Sequence, residues 1–162
     1  MKSVYRVLGF LIAALVFVQA GSIAYGFFGL AKWVDDGGVL DAAAIDNESI
    51  TFDGLIGLIV HGIFGVMVIP IVALLFVIAS FFAKIPGGIV WALITFGIVV
   101  VQVLLGLFAH GIPFLGLLHG MVALALLGAA LTSAQRVPKA LASRSSDPSA
   151  MAEAAPPTAS AV

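Results

Sequence analysis

Residues 52–82 read FDGLIGLIVHGIFGVMVIPIVALLFVIASFF, an apolar run whose titratable side chains are Asp53 at its edge and His61 inside it. A membrane-spanning helix needs about 20 such residues, because the hydrocarbon core is about 30 Å thick and a helix rises about 1.5 Å per residue. The run from Phe52 to Phe82 is therefore long enough to span, with Pro70 predicting a kink and tilt absorbing the excess length.

Working outward, three further stretches have the same character: about Val4 to Leu30, Ile89 to Ala109 and Pro113 to Ala134. Between them lie an acidic loop (Lys32 to Thr51), a tight turn at Lys84 to Gly88 and a short turn at His110 to Pro113. Short turns force antiparallel neighbours. The fold class expected is therefore all-α, an integral-membrane up-down-up-down four-helix bundle over residues 1–135. The Ala/Ser/Pro-rich segment 136–162 cannot bury a core, and it reads as a disordered tail.

Composition agrees. The 162 residues are 62% apolar and 9% charged, with mean hydropathy +1.24. A soluble domain carries about 25% charge. The net charge of -1 and the lack of a basic cluster exclude nucleic-acid binding. Without cysteine there is no disulfide, thiolate metal site, iron–sulfur cluster or covalent haem attachment.

Lys2, Arg6, Lys84, Arg136, Lys139 and Arg144 fall on one side of a four-span arrangement, with Lys32 alone on the other. The positive-inside rule then puts both termini in the cytoplasm. The expected location is a bacterial inner membrane, with the spans in contact with lipid. Asp35, Asp36, Asp41, Asp46, Glu48 and Asp53 mark the outer side, and Trp33 and Trp91 sit near span ends. Lys2 and Arg6 followed by Val18-Gln19-Ala20 imitate a signal peptide. The apolar run continues through Ile23, Phe27 and Leu30, which predicts a retained first helix.

Four strong polar side chains lie well inside the spans, one per helix: Gln19, His61, Gln102 and His119. At about 1.5 Å per residue, His61 lies about 12 Å below the outer edge, His119 about 9 Å, Gln102 about 12 Å and Gln19 about 10 Å. Polar groups in lipid are costly and should face the bundle interior, so these four predict one shared layer. Gly57 and Gly65 flank His61 at i−4 and i+4, Gly116 precedes His119 by three, and Gly106 follows Gln102 by four. Such glycines leave a flat recess for either a wide planar ligand or a neighbouring helix.

Helices two and four are diagonal partners in this topology, about 11–14 Å apart given neighbours at 8–10 Å. Imidazole ligates haem iron well. The residues thus point to a b-type haem held by His61 and His119, with Gln19 and Gln102 bonding the histidine Nδ1–H groups, a propionate or water. The competing reading is a cofactor-free polar network joining helices.

The stretch Val101-Gln102-Val103-Leu104-Leu105-Gly106, followed after a turn by Leu118-His119-Gly120, resembles one four-helix half of haem A synthase. That family has a Gln-x-Leu-Leu-Gly-like third helix before a fourth helix carrying a haem-ligand histidine. Its partner histidine comes from the second helix, where His61 stands. The chain also resembles an uncharacterised family of small four-span actinobacterial membrane proteins. The likeness covers about Gln19 to Leu131. The resemblance implies a haem-holding scaffold. It does not extend to haem A synthesis, because the family's Glu and Arg beside the second-helix histidine are replaced by Leu58 and Gly62.

Two axial histidines favour electron transfer or haem handling over oxygen chemistry, with a quinone or another membrane redox protein as partner. The alternative is an accessory or assembly subunit of a larger complex. Either form is compatible with a homo-oligomer. A transporter or channel ranks below both, because no carboxylate, lysine or arginine lies well inside the spans to supply a coupling or selectivity site. His110 reads as a solvated turn residue. A zinc or copper site joining it to His61 and His119 would have to cross about 10 Å of depth without a carboxylate or thiolate. The acidic loop lacks the calcium-loop pattern, and Asn47-Glu48-Ser49 matches a glycosylation acceptor. No nucleophile–base pair lies in the spans, so no catalytic residue is expected.

Overall fold

The computed structural model describes the backbone of residues 1–43 and 50–145, with side chains through Val137. Asp46, Glu48, the Asn47-Glu48-Ser49 triplet and residues 146–162 lie outside the described residues. Four long helices follow in order among the described residues: α1 (Lys2–Asp35), α2 (Leu55–Ala83), α3 (Gly88–Phe108) and α4 (Pro113–Ser145). Each is long and apolar enough to cross a membrane, the hallmark of a multi-pass membrane protein, and no strand occurs among the described residues.

Two helices outrun the boundaries expected from hydropathy. The first continues past Leu30 to Asp35, where Lys32 closes an i,i+4 ion pair on Asp36 at 2.7 Å. The fourth continues past Arg136 to Ser145, where a structureless tail was expected. Alanine, leucine, lysine and arginine are good helix formers, so a segment unable to bury a core can still extend a helix already anchored by packing. Arg136 supplies that anchor: its guanidinium lies over the Trp91 ring at 5.2 Å and donates to the Pro86 carbonyl at 3.1 Å.

The second helix is α-helical over Leu55–Ile63, becomes a π turn at Phe64–Val68 and is α-helical again over Ile69–Ala83. Pro70 has no N–H to give the Val66 carbonyl, and the Ile69 N–H reaches back to the Phe64 carbonyl. The expected proline distortion therefore takes the form of one widened turn.

The core lies toward the Tyr5 end. Tyr5, Ile12, Val16, Ala73, Phe76, Ala92, Val99 and Ala130 are buried there, and the Tyr5 and Phe76 rings pack with centroids 4.5 Å apart and planes tilted by 37°. Small residues let backbones close up: at Gly9 a Cβ would stand 3.1 Å from the Ala134 Cβ. The buried hydroxyls are all satisfied. Tyr5 donates to the Gly88 carbonyl at 3.1 Å, Ser133 to Ala129 and Thr95 to Trp91, and the Thr95 and Ser133 oxygens lie 3.3 Å apart. The turn between α2 and α3 is tight because Lys84 and Gly87 both adopt left-handed backbone, at φ 51° and 67°.

Toward the other end the packing partners change. The Ile69–Ala83 half of α2 packs on both α1 and α3, whereas its Leu55–Ile63 half packs on α1. The fourth helix packs on both α1 and α3. At the level of the polar side chains, hydrogen bonds link α1 with α2 and α3 with α4.

Candidate functional site

Gln19, His61, Gln102 and His119 form one assembly built twice. In the first pair the Gln19 Nε2 donates to the His61 carbonyl at 2.8 Å, and the His61 Nδ1 lies 3.1 Å from the Gln19 carbonyl. In the second the Gln102 Nε2 donates to the His119 carbonyl at 2.9 Å, and the His119 Nδ1 lies 3.0 Å from the Gln102 carbonyl. Each glutamine side chain bonds a histidine backbone, and each histidine side chain bonds a glutamine backbone. The sequence leaves the glutamine amides a choice of the imidazole Nδ1–H groups, a propionate or water, and the amide nitrogens meet the histidine backbone carbonyls. Helix carbonyls carry a second lone pair beyond their i+4 bond, and these serve as the acceptors instead.

The geometry fixes the tautomers. A carbonyl oxygen only accepts, so each Nδ1 carries the proton that it donates, and in the neutral ring each Nε2 keeps a free lone pair. No other side chain among the described residues bonds either Nε2. The two rings, both half-buried, meet in an edge-type contact across the bundle, with centroids 6.0 Å apart and planes inclined at 64°. The spacing follows from the elements: α1 and α3 carry the glutamines, α2 and α4 carry the histidines, and each reciprocal pair holds its ring in place.

Two buried acceptors are left over. The Oε1 atoms of Gln19 and Gln102 have no hydrogen-bond partner, and Gln19 is only 9% exposed. They occupy equivalent places in the two pairs, and a buried carbonyl without a donor costs about 1–3 kcal/mol. The site has room in its chemistry for two donors, whether water or a ligand group.

The glycines divide by role. Gly57 is buried against α1, where a Cβ would fall on the Ser22 carbonyl and the Gly26 N, so here the recess is filled by a neighbouring helix. A Cβ on Gly65 would stand 2.8 Å from the Gln19 Nε2, and one on Gly106 3.1 Å from the His119 Cε1. These two clear space for the pairs themselves. Gly116 lies against Ala109, with 3.8 Å to its Cβ, and touches neither histidine. His110 is exposed on the turn before α4 and stands apart from the layer. Among the described residues no group of three or more His, Asp or Glu side chains is placed to hold a metal ion.

Compared with family models, curated proteins and solved structures, the chain matches none. The reading of the site therefore rests on its own geometry.

Proposed function

We propose that this chain is a small membrane cytochrome-like protein, an up-down-up-down bundle in a bacterial inner membrane with both termini cytoplasmic, holding one b-type haem between His61 and His119. The observation that carries the reading is the pair of adjacent imidazoles, each with Nδ1–H committed to a backbone carbonyl and Nε2 left as a ligand. Hydrogen-bonded second nitrogens of this kind orient metal-ligating histidines and raise their basicity.

The donor set fits such a group. An ion shared by two imidazoles at about 2.0–2.1 Å from each nitrogen separates the ring centroids by about 6 Å, and the rings here are 6.0 Å apart. His61 and His119 would hold the iron. Gln19 and Gln102 would keep both rings oriented, and their unpartnered Oε1 atoms would take ordered water beside the macrocycle. Held by these two histidines, a haem would supply one-electron transfer, with a quinone or a membrane redox protein as partner. Leu58 and Gly62 at the flanking positions offer neither acid nor base, which favours electron transfer or haem handling over a reaction on the macrocycle.

The deciding experiment is the absorbance spectrum of detergent-purified protein made in haem-replete cells. A Soret band with sharp reduced α and β bands is expected, lost in His61→Ala and in His119→Ala. Retention of the wild-type spectrum by both variants overturns the reading.

A second reading draws on the same bonds. The reciprocal Gln–His pairs stitch α1 to α2 and α3 to α4 without any added group, as an accessory or assembly subunit would need. A folded, colourless protein that gives no spectral response to added haemin and co-purifies with a larger complex would establish it.

A further inference from the structure

The π turn of α2 lies directly after His61, and its effect on that residue can be worked out from helix geometry. An α-helix turns about 100° per residue. Counted along an unbroken helix, His61 would stand about 80° from Ile69, 120° from Ala73 and 60° from Phe76, all to the same side. Those three residues are buried, and with Val77, Ala79, Ser80 and Ala83 they make up the face that α2 turns to its neighbours, centred near the direction of Ile69. An unbroken helix would therefore carry His61 about a quarter-turn off the centre of that face. The π turn takes up one extra residue, which removes about 100° from each angle. His61 then stands within about 40° of all three, on the core side, where it meets Gln19 and lies beside His119.

We propose that Pro70 and the extra residue in Phe64–Val68 are a register device that rotates His61 into the ligand layer, making Pro70 a positioning residue for the site. This rests on the reading of His61 as a ligand only for its purpose; the rotation itself is independent of haem. Pro70 enforces it by withholding the N–H that an α turn from Val66 would need. With leucine at position 70 the i→i+4 bond can form, the turn closes to α, and the outer segment of α2 swings His61 toward lipid and brings Gly62 inward.

The chain contains no cysteine, so a H61C/H119C variant reports the approach of these two positions through a short thiol-reactive cross-linker, with no haem required. Full-length protein in detergent should cross-link within the chain. Adding Pro70→Leu should reduce cross-linking at least tenfold, and deleting Val66 in the Pro70→Leu background should restore it, since the deletion removes the surplus residue and returns the register. Restoration by a deletion is not expected of a merely structural proline, and it shows that the variants fold. Cross-linking unchanged by Pro70→Leu, or lost in both variants, overturns the proposal. The parallel spectra of the histidine-bearing forms separate the two readings: a colourless wild type removes the haem assignment while the cross-links still decide the register.

Discussion

Gln19 and His61 are bonded to one another twice, side chain to backbone in each direction, at 2.8 and 3.1 Å across the α1–α2 contact. Gln102 and His119 repeat the arrangement between α3 and α4 at 2.9 and 3.0 Å. The two bonds in each pair are not equivalent in function. The glutamine Nε2 bond joins two helices, whereas the histidine Nδ1 bond sets which imidazole nitrogen is free.

That difference separates the variants. Gln19→Leu removes the Nε2 donor and the unpartnered Oε1 but leaves the backbone carbonyl that accepts from His61. The expected loss of stability is about 0.6–1.7 kcal/mol, the range for interhelical side-chain bonds in membranes. On the cytochrome reading the spectrum survives. Equilibrium unfolding in mixed detergent and SDS, with an absorbance scan of the folded sample, checks both. Loss of the haem bands in Gln19→Leu would show that the glutamine side chain itself holds the ligand site.

Neighbouring glycines on α2 should respond in opposite senses. A Cβ on Gly57 would strike the Ser22 carbonyl and the Gly26 backbone, which are fixed parts of α1, so Gly57→Ala must push the helices apart. Overpacking of this kind costs about 1–3 kcal/mol. Gly62 has open space around its Cβ position, and Gly62→Ala should be neutral or up to about 1 kcal/mol stabilising through helix propensity. Thermal midpoints of both variants in one detergent give the comparison, and equal shifts would contradict the packing described.

The shared level of the four polar residues was legible because it depends only on counting residues along each span and not on how each helix is rotated. Pairing was not legible, because it depends on rotation about the helix axis. The π turn at Phe64–Val68 changes that rotation by about 100° without changing depth appreciably. Gly57 shows the same limit: its place four residues before His61 was plain, but whether a ligand or α1 filled the recess depended on the crossing at Ser22 and Gly26. Thr95 and Ser133 escaped notice for a different reason. Short hydroxyls bond their own helix carbonyls, so their sequence positions carry no signal of burial.

At the Tyr5 end, Tyr5→Phe tests how much that buried hydroxyl contributes. Its ring stays packed on Phe76, so packing is preserved, while the bond to the Gly88 carbonyl is lost. A loss of about 0.5–1.5 kcal/mol is expected, with no change at the His61–His119 level. Unfolding measured as for Gln19→Leu checks the magnitude, and any spectral shift would reveal coupling between the two ends of the bundle.

Gly106 offers the most direct perturbation of a histidine ring without touching the histidine. A Cβ there would stand 3.1 Å from the His119 Cε1 and 3.3 Å from its Nδ1. Both distances are tighter than ordinary van der Waals contact, so the ring must tilt by a few tenths of an ångström or the Nδ1 bond to the Gln102 carbonyl must lengthen from 3.0 Å. A weaker Nδ1 bond lowers the basicity of the opposite nitrogen. On the cytochrome reading Gly106→Ala should therefore keep the bound haem but shift its reduction potential upward, because a less basic ligand stabilises the ferric state less. Gly116→Ala is the matched control: its nearest neighbour would be the Ala109 Cβ at 3.8 Å, so neither potential nor spectrum should move. Redox titration of the two variants beside the wild type decides the matter, and equal potentials in all three would show that the His119 ring is not held where the bond to Gln102 places it.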